Sequence, residues 1–282
     1  MTGFNYHTHS NFSDGGKPAE NYIQEAIRQG MTDLGFSDHA PMPFKNTFSI
    51  QSGNYESYCL EINRIKDVYA DKLNIFLGLE IDFIPGMIED FAGLIHQGKL
   101  DYSIGSVHLI GQGNAENLWF TDGPKIETYD SGLNTFFGGD IRKAVKAFYS
   151  QTNQMIVSQK FDVIGHFDKV KMHNQNRYFT EDEKWYVELV FETLDLIRQK
   201  GIIVEVNTRG IYKKRSDSFF PSDFILQRMR ALNIPVIISS DAHQPEELQC
   251  LFGDAVKAVR VAGYNEIMRF TKEGWISVNL TM

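Results

Sequence analysis

Short apolar, β-branched runs alternate along this chain with longer stretches of helical period, and no other feature limits its fold as strongly. Such alternation builds βαβ units and a parallel sheet. Candidate strands cover 4–6, 33–37, 74–79, 102–107, 162–165, 202–206 and 236–240, with a weaker eighth at 275–280. Between them, 20–29, 55–70, 86–96, 141–159, 180–199, 222–231 and 246–262 carry spaced apolar residues, and Gly30, Gly98, Gly201 and Gly263 stand as helix stops. No linker or internal repeat divides the series, so residues 1–282 are expected to form a single α/β domain. The one interruption, 111–139, is rich in Gly, Asn and Asp with Trp119, Phe120, Phe136 and Phe137 embedded. It is too long for an ordinary connection and is expected to be a functional loop or lid.

Chemistry-bearing residues recur where the strands stop. His7 and His9 follow the first strand, and side chains two apart on an extended segment point the same way and can share a cation. His39 ends the second, Glu80 the third, His108 the fourth, His166 the fifth, and Asp241 with His243 the seventh. Six of the eight histidines take such positions. Any one of them alone reads equally well as a hydrogen-bonded core histidine, and any aspartate as a helix cap. Together they make chance scatter a poor account, because in a closed parallel barrel all the strands' carboxyl ends share one rim. Mixed imidazole and carboxylate donors suit Zn, Mn or Fe. Asp14 reads either as the turn residue of Asp14-Gly15 or as a further donor five residues past His9. His96 and His173 fall outside the pattern and read as ordinary surface or core residues.

Composition removes several classes of function. A formal net charge of -8 disfavours an electrostatic nucleic-acid surface. No run approaches the ~20 apolar residues of a membrane span. Two cysteines cannot make a disulfide framework, Met1 to Asn11 lacks the order of a signal peptide, and a reducing cytoplasm is the default location. Cys59 and Cys250 read as small core residues. Neither a Gly-x-Ser-x-Gly elbow nor a phosphate-cradling glycine loop is present in the sequence.

His7-Thr8-His9-Ser10, Ser37-Asp38-His39, Gly78-Leu79-Glu80-Ile81-Asp82, Gly105-Ser106-Val107-His108, Gly165-His166 and Ser240-Asp241-Ala242-His243, in this order, resemble the polymerase and histidinol phosphatase (PHP) superfamily. Val204-Glu205-Val206-Asn207-Thr208 and Phe220-Pro221-Ser222 are similar to its histidinol-phosphatase branch. The resemblance implies a distorted (β/α)7 TIM-like barrel with a metal site at the C-terminal rim of the strands, the weak eighth strand being a terminal extension. It implies three divalent ions (Zn, Mn or Fe): one held by His7, His9, Glu80 and Asp241, a second by the bridging Glu80 with His108 and His166, a third by Asp14, His39 and His243. It further implies that a metal-activated hydroxide attacks phosphorus of L-histidinol phosphate in histidine biosynthesis, with Glu80, Asp241 and His243 as the catalytic set. The alternatives are a nuclease or nucleotide phosphoesterase of the superfamily, an amidohydrolase-like C–N hydrolase, and a non-catalytic barrel.

For the phosphate, Arg209 on the expected rim is the first candidate and Arg177 the second, with Asn207 and Ser106 as polar contacts and 213–215 as a solvated or steering basic run. Asp168 is expected either to orient His166 or to serve a turn. The acidic stretch 114–130, with Glu116, Asp122 and Glu127 beside Trp119 and Phe120, is expected to cover the cationic end of the substrate or to be solvated surface. The partner is therefore a small phosphorylated molecule, with no nucleic acid and no membrane.

Overall fold

The computed structural model describes residues 3–280. Its elements run β1 (Phe4–Asn5), α1 (Ala19–Arg28), β2 (Asp33–Phe36), α2 (Tyr55–Val68), β3 (Asn74–Leu77), β4 (Glu80–Asp82), α3 (Phe91–Gly98), β5 (Ile104–Ser106), β6 (Leu109–Ile110), β7 (Trp119–Phe120), α4 (Ile126–Phe137), α5 (Ile141–Ser158), β8 (Val163–Ile164), α6 (Lys184–Lys200), β9 (Ile203–Asn207), α7 (Arg209–Tyr212), α8 (Asp223–Ala231), β10 (Val236–Ser239), α9 (Phe252–Val261), β11 (Glu266–Thr271) and β12 (Gly274–Asn279). Every residue of β2, β9 and β10 is buried, as in a parallel strand covered on both faces; Val236-Ile237-Ile238 of β10 shows this as a continuous apolar run, whereas β2 and β9 bury Asp33 and Glu205 as well. The helices bury one stripe each. α1 turns Tyr22, Ile23 and Ala26 inward, with Glu20 in its first turn and Arg28 in its last to complement the helix dipole. Asp140 accepts the Lys143 N–H at 3.0 Å to cap α5.

The sheet is mostly parallel. β1, β2 and β3 pair in that order, and β10, β9, β8, β5 and β4 pair in a second parallel set. Only Gly78 and Leu79 separate β3 from β4. Parallel bridges between His39 and Glu80 and between Thr8 and Ala242 connect the two sets beyond the carboxyl ends of β2 and β10. Tyr102 fills the interior over Gly78, where a Cβ would come within 2.3 Å of its ring, and donates to the Tyr6 carbonyl at 2.6 Å.

Several sequence expectations change. The eighth strand, β12, pairs antiparallel with β11 and joins neither parallel set. This hairpin lies across the amino ends of the strands, where Arg269 reaches Asp33 at 2.8 Å and Trp275 packs on Tyr6 and Phe270. Segment 111–139 is not a loop. β7 pairs antiparallel with β6, α4 follows, and Trp119 is buried against Tyr129 and Phe137. The expected helix over 86–96 starts only at Phe91, because Ile84 and Ile88 pair across a turn first. α9 likewise starts at Phe252. Gly98 lies inside α3, and Lys99 takes the left-handed stop at φ 49°.

Candidate metal centre

The carboxyl ends of the parallel strands deliver all nine expected ligand residues to one place. Beyond β1 the backbone of 7–9 is held on both sides: Ser37 N–H donates to the Thr8 carbonyl at 2.9 Å, and His9 N–H donates to the Ala242 carbonyl at 2.8 Å. His7 and His9 therefore face inward together, both fully buried. Asp38 shapes the turn that brings Asp14 over, accepting from Ser10 N–H at 2.9 Å and Ser13 N–H at 3.1 Å as well as from both hydroxyls. Gly15 is obligatory here, since a Cβ would lie 2.1 Å from the His9 carbonyl oxygen. His166 and Asp241 carry positive φ of 24° and 52°, backbone states that non-glycine residues hold only where the surroundings over-determine them.

Glu80 is the hub. Its Oε2 lies 3.1 Å from His39 Nδ1, 3.2 Å from His7 Nε2 and 3.5 Å from His9 Nε2, and its Oε1 lies 3.0 Å from His166 Nε2 and 3.5 Å from His108 Nε2. Asp241 Oδ1 sits 3.3 Å from His9 Nε2 and 3.4 Å from His243 Nδ1, and Asp14 Oδ1 sits 3.2 Å from His243 Nε2. Two donors on one tetrahedral zinc at its usual bond lengths stand roughly 3.4 Å apart, the spacing these pairs have. The donors fall into four overlapping groups whose ligand atoms lie within 4.8 Å of one another: His9, Asp14, His39 and His243; His7, Glu80 and His166; His7, His9 and Asp241; His39, Glu80 and His108. Within them His7 Nε2, both ring nitrogens of His9, His39 Nδ1 and Glu80 Oε2 are buried without a hydrogen-bond partner. Orphans of this kind are rare in folded proteins, and divalent cations would satisfy four of the five, since the His9 ring offers one lone pair.

The electrostatics also call for positive charge. Burial disfavours ionised carboxylates at Glu80 and Asp241, yet neighbouring imidazoles, with Arg209 and Lys169 at Asp241, hold both well below the ordinary range. Burial likewise opposes charge on His108, but Asp82, Asp122 and Glu80 raise its pKa to about 10. His7 is raised against burial by Glu205, Glu80 and Asp241, whereas burial and the neighbouring His243 push His9 down to about 4. Outside the ring, His108 Nδ1 meets Asp82 at 2.9 Å, His7 Nδ1 meets Glu205 at 2.5 Å and His243 Nδ1 meets the Asp241 carbonyl at 3.0 Å, which fixes each ring's orientation.

A cleft of about 320 Å³ opens onto this ring. Asp14, His39, Glu80, His108, Asp241 and His243 form its floor, and Lys169, Arg209, Lys213 and Arg215 line its basic side. Phe48 and Phe120 stack on the other, with centroids 5.5 Å apart. Arg209 donates to the Asp241 carbonyl at 2.7 Å, and Lys169 pairs with Asp122 at 2.7 Å. Arg215 lines the cleft with no carboxylate partner among the described residues.

Other expected contacts lie elsewhere. Arg177 forks onto Asp130 at 2.8 Å and onto the His173 carbonyl, so its charge is answered away from the cleft. Asn207 is buried, donating to Glu205 and Asp241, and Ser106 donates to Glu80 at 2.6 Å; neither lines the cleft. Asp168 pairs with Lys171 and accepts from Ser222 N–H instead of orienting His166. Of the acidic stretch Phe120, Asp122 and Pro124 line the cleft, while Glu116 and Glu127 are exposed. His96 is exposed, and His173 is a buried partner of the Gly123 carbonyl. Cys59 is buried in α2, whereas Cys250 is only half-buried.

The sequence reading assigned no role to Asp82, Lys169 or Glu205. A carboxylate inside the apolar run of β9 is the kind of signal that finds such a residue, because a charge placed there must be paired.

A family model for the PHP domain matches residues 5–209. A Deinococcus radiodurans protein named as a probable histidinol-phosphatase is 30% identical over 88% of this chain and 88% of its own length. The Lactococcus lactis histidinol-phosphatase is 25% identical over 96% of this chain and 95% of its own. A solved chain from Listeria monocytogenes matches the fold with a TM-score of 0.77 at 23% identity, covering 89% of this chain and 99% of that one. The Lactococcus lactis histidinol phosphate phosphatase, solved with Zn, L-histidinol and phosphate, gives a TM-score of 0.68 at 22% identity, over 97% and 98%.

Proposed function

The chain belongs to the PHP family, and from that premise we propose that it is a metal-dependent phosphomonoesterase hydrolysing L-histidinol phosphate to L-histidinol and phosphate in histidine biosynthesis. The observation that carries this reading is Glu80, a buried carboxylate with five imidazoles within 3.5 Å and partnerless ring nitrogens around it. Relatives named histidinol-phosphatase over most of both chains supply the substrate.

The bridges from Thr8 to Ala242 and from His39 to Glu80 support one distorted (β/α)7 barrel spanning 1–282 as a single domain, with β3 and β4 as one broken strand and the metal site at its C-terminal rim. In this reading His7, His9, Glu80 and Asp241 hold one divalent ion, Glu80 with His108 and His166 a second, and Asp14, His39 and His243 a third; Zn, Mn or Fe fits the donor set. When bound, such ions supply Lewis-acid charge and lower the pKa of water toward neutrality, which suits a phosphate monoester.

The chain's own residues do the rest. Arg209 and Lys169 offer fixed positive charge to the phosphate from the cleft wall, and the unpaired Arg215 adds a third cation. In this reading Glu80, Asp241 and His243 form the catalytic set; all three belong to the ligand ring and face the cleft, as Asp14, His39 and His108 also do. Phe48 and Phe120 give the imidazole end a flat apolar wall, and Asp122 gives the ammonium an anionic neighbour. A cleft of about 320 Å³ suits a small phosphate ester better than a nucleic-acid strand. No helix among the described residues is long and apolar enough to cross a membrane, and the two free thiols accord with a cytoplasmic setting.

The test is phosphate release from histidinol phosphate, sugar phosphates, nucleotides and an oligonucleotide, with and without added Zn, Mn or Fe. Histidinol phosphate is expected to give the highest kcat/KM. A preference for nucleotides or the oligonucleotide, or full activity from a protein shown by elemental analysis to be metal-free, overturns the proposal.

A further inference from the structure

Glu205 is the one residue of β9 whose side chain carries a charge, and four donors converge on it. Its Oε1 takes His7 Nδ1 at 2.5 Å and the Ser239 hydroxyl, and its Oε2 takes the His166 backbone N–H at 2.8 Å and Asn207 Nδ2 at 3.0 Å. The carboxylate is fully buried and lines no part of the cleft, so it meets no substrate. Only an ionised carboxylate, which accepts at both oxygens, can satisfy all four donors at once.

Each bond acts on a different ligand. The bond to His7 Nδ1 places the ring hydrogen there and leaves the Nε2 lone pair facing Glu80 Oε2 at 3.2 Å. The bond to the His166 N–H holds a residue whose φ is 24°, and in that conformation His166 Nε2 lies 3.0 Å from Glu80 Oε1. Asn207 passes the same anchor to Asp241, donating to its Oδ2 at 3.3 Å. His7 and Asp241 belong to the first proposed ion and His166 to the second.

We propose that Glu205 is a positioning residue that couples two metal subsites, so that both ions loosen together when its second acceptor oxygen is lost. The inference rests on the metal reading given above. Asp82 supplies the contrast: it accepts from His108 Nδ1 at 2.9 Å and from the His108 N–H at 2.9 Å, so it orients a ligand of the second ion alone.

The experiment follows metal release from the loaded protein into a chromophoric chelator, with elemental analysis of the starting material, for wild type, Glu205→Gln and Asp82→Asn. The amide keeps the volume of Glu205 but has one acceptor oxygen: turned one way it forces the His7 proton onto Nε2, against the Glu80 carboxylate that both ions share, and turned the other way it leaves the His166 N–H of the second ion and, through Asn207, the Asp241 of the first without their acceptor. Loss of an outer partner weakens metal binding by about 10- to 100-fold. Glu205→Gln is expected to release two ions per chain at chelator concentrations about 10- to 100-fold below wild type, while the third ion is retained and excess Zn restores occupancy and kcat. Asp82→Asn is expected to shift one ion only.

A folded Glu205→Gln protein with the wild-type release profile, or one that loses a single ion, overturns the coupling, as does an activity loss that excess Zn fails to restore. If Glu205→Gln does not fold, Glu205→Asp, which keeps the charge but draws both oxygens back by one methylene from His7 and from His166 alike, should still shift release of two ions, and a shift of one or none overturns the proposal. Wild-type protein that never holds metal fails the underlying metal reading, and the inference falls with it.

Discussion

Removing the metals should destabilise the whole chain as well as stop catalysis, and the size of the effect follows from the partnerless atoms. His7 Nε2, His9 Nδ1, His9 Nε2, His39 Nδ1 and Glu80 Oε2 are buried without hydrogen bonds. Leaving a buried polar atom unsatisfied costs ~1–3 kcal/mol, and a cation answers only one nitrogen of the His9 ring, so four atoms bound the loss between ~4 and ~12 kcal/mol. Water entering from the cleft can solvate some of them, which favours the lower end. Unfolding entropy scales with chain length, and for a chain this long ~0.6 kcal/mol corresponds to one kelvin, so the expected fall in Tm is ~7 °C or more. Differential scanning calorimetry of loaded and exhaustively chelated protein measures it, with elemental analysis confirming that the ions are gone. Re-addition of Zn, Mn or Fe should recover Tm and activity together. A metal-free protein melting within ~2 °C of the loaded one would refute the reasoning, because the orphaned atoms would then have found other partners.

Glu80→Ala should be among the most damaging single changes, lowering metal content and turnover together; near-normal values for both would remove Glu80 from its bridging role. Metal binding should release protons, since burial is outweighed by carboxylates that hold His7 and His108 protonated in the metal-free state. A cation must displace those protons, so affinity should rise with pH, and adding Zn to unbuffered apo-protein near neutrality should acidify it; no proton release would contradict the charge assignment. Arg209→Ala should lower kcat/KM for histidinol phosphate by ~2–4 kcal/mol while the metals stay bound, and an unchanged kcat/KM would shift the phosphate contact to Lys169 or Arg215. Trp275→Ala, at the opposite end of the strands, should cost ~3 kcal/mol of stability by opening the Tyr6, Phe270 and Tyr102 cluster without changing metal content, and metal loss there would mean that the hairpin and the site are coupled.

Strand order and helix placement were legible because both rest on periodicity. Val236-Ile237-Ile238 in β10 and Ile202-Ile203-Val204 leading into β9 are the apolar runs that a doubly covered parallel strand needs, and the expected 33–37, 202–206 and 236–240 each fall within one residue of β2, β9 and β10. Helix starts were less legible where a turn precedes the cap. The apolar residues of 86–90 share the helical spacing of α3, but the pairing of Ile84 with Ile88 commits them to a turn before Asp90 caps the helix. Segment 111–139 misled for a related reason. Its Gly, Asn and Asp residues mark local turns between β6, β7 and α4, and the burial of Trp119 under Tyr129 depends on how those pieces fold back on one another, which no local pattern encodes.

At the site, the ligands were legible and their supports were not, and chain geometry explains the difference. A ligand at the end of a strand announces itself because an imidazole or carboxylate interrupts an apolar run, and a shared rim makes six such interruptions converge. Its support is chosen by register across strands. Asp82 reaches His108 because parallel pairing places Asp82 beside Ser106, and Lys169 is buried because Asp122 arrives from a different excursion of the chain. Read alone, Lys169 in Lys169-Val170-Lys171 looks solvated, and Arg177 looks as fit for phosphate as Arg209. The distinction is which carboxylate each one meets. Arg177 forks onto Asp130 outside the cleft, whereas the partners of Arg209, Asp241 at 4.0 Å and Glu247 at 3.6 Å, hold it on the cleft wall. Charge pairing at long range therefore decides which of the chain's cations remain available to an anionic substrate.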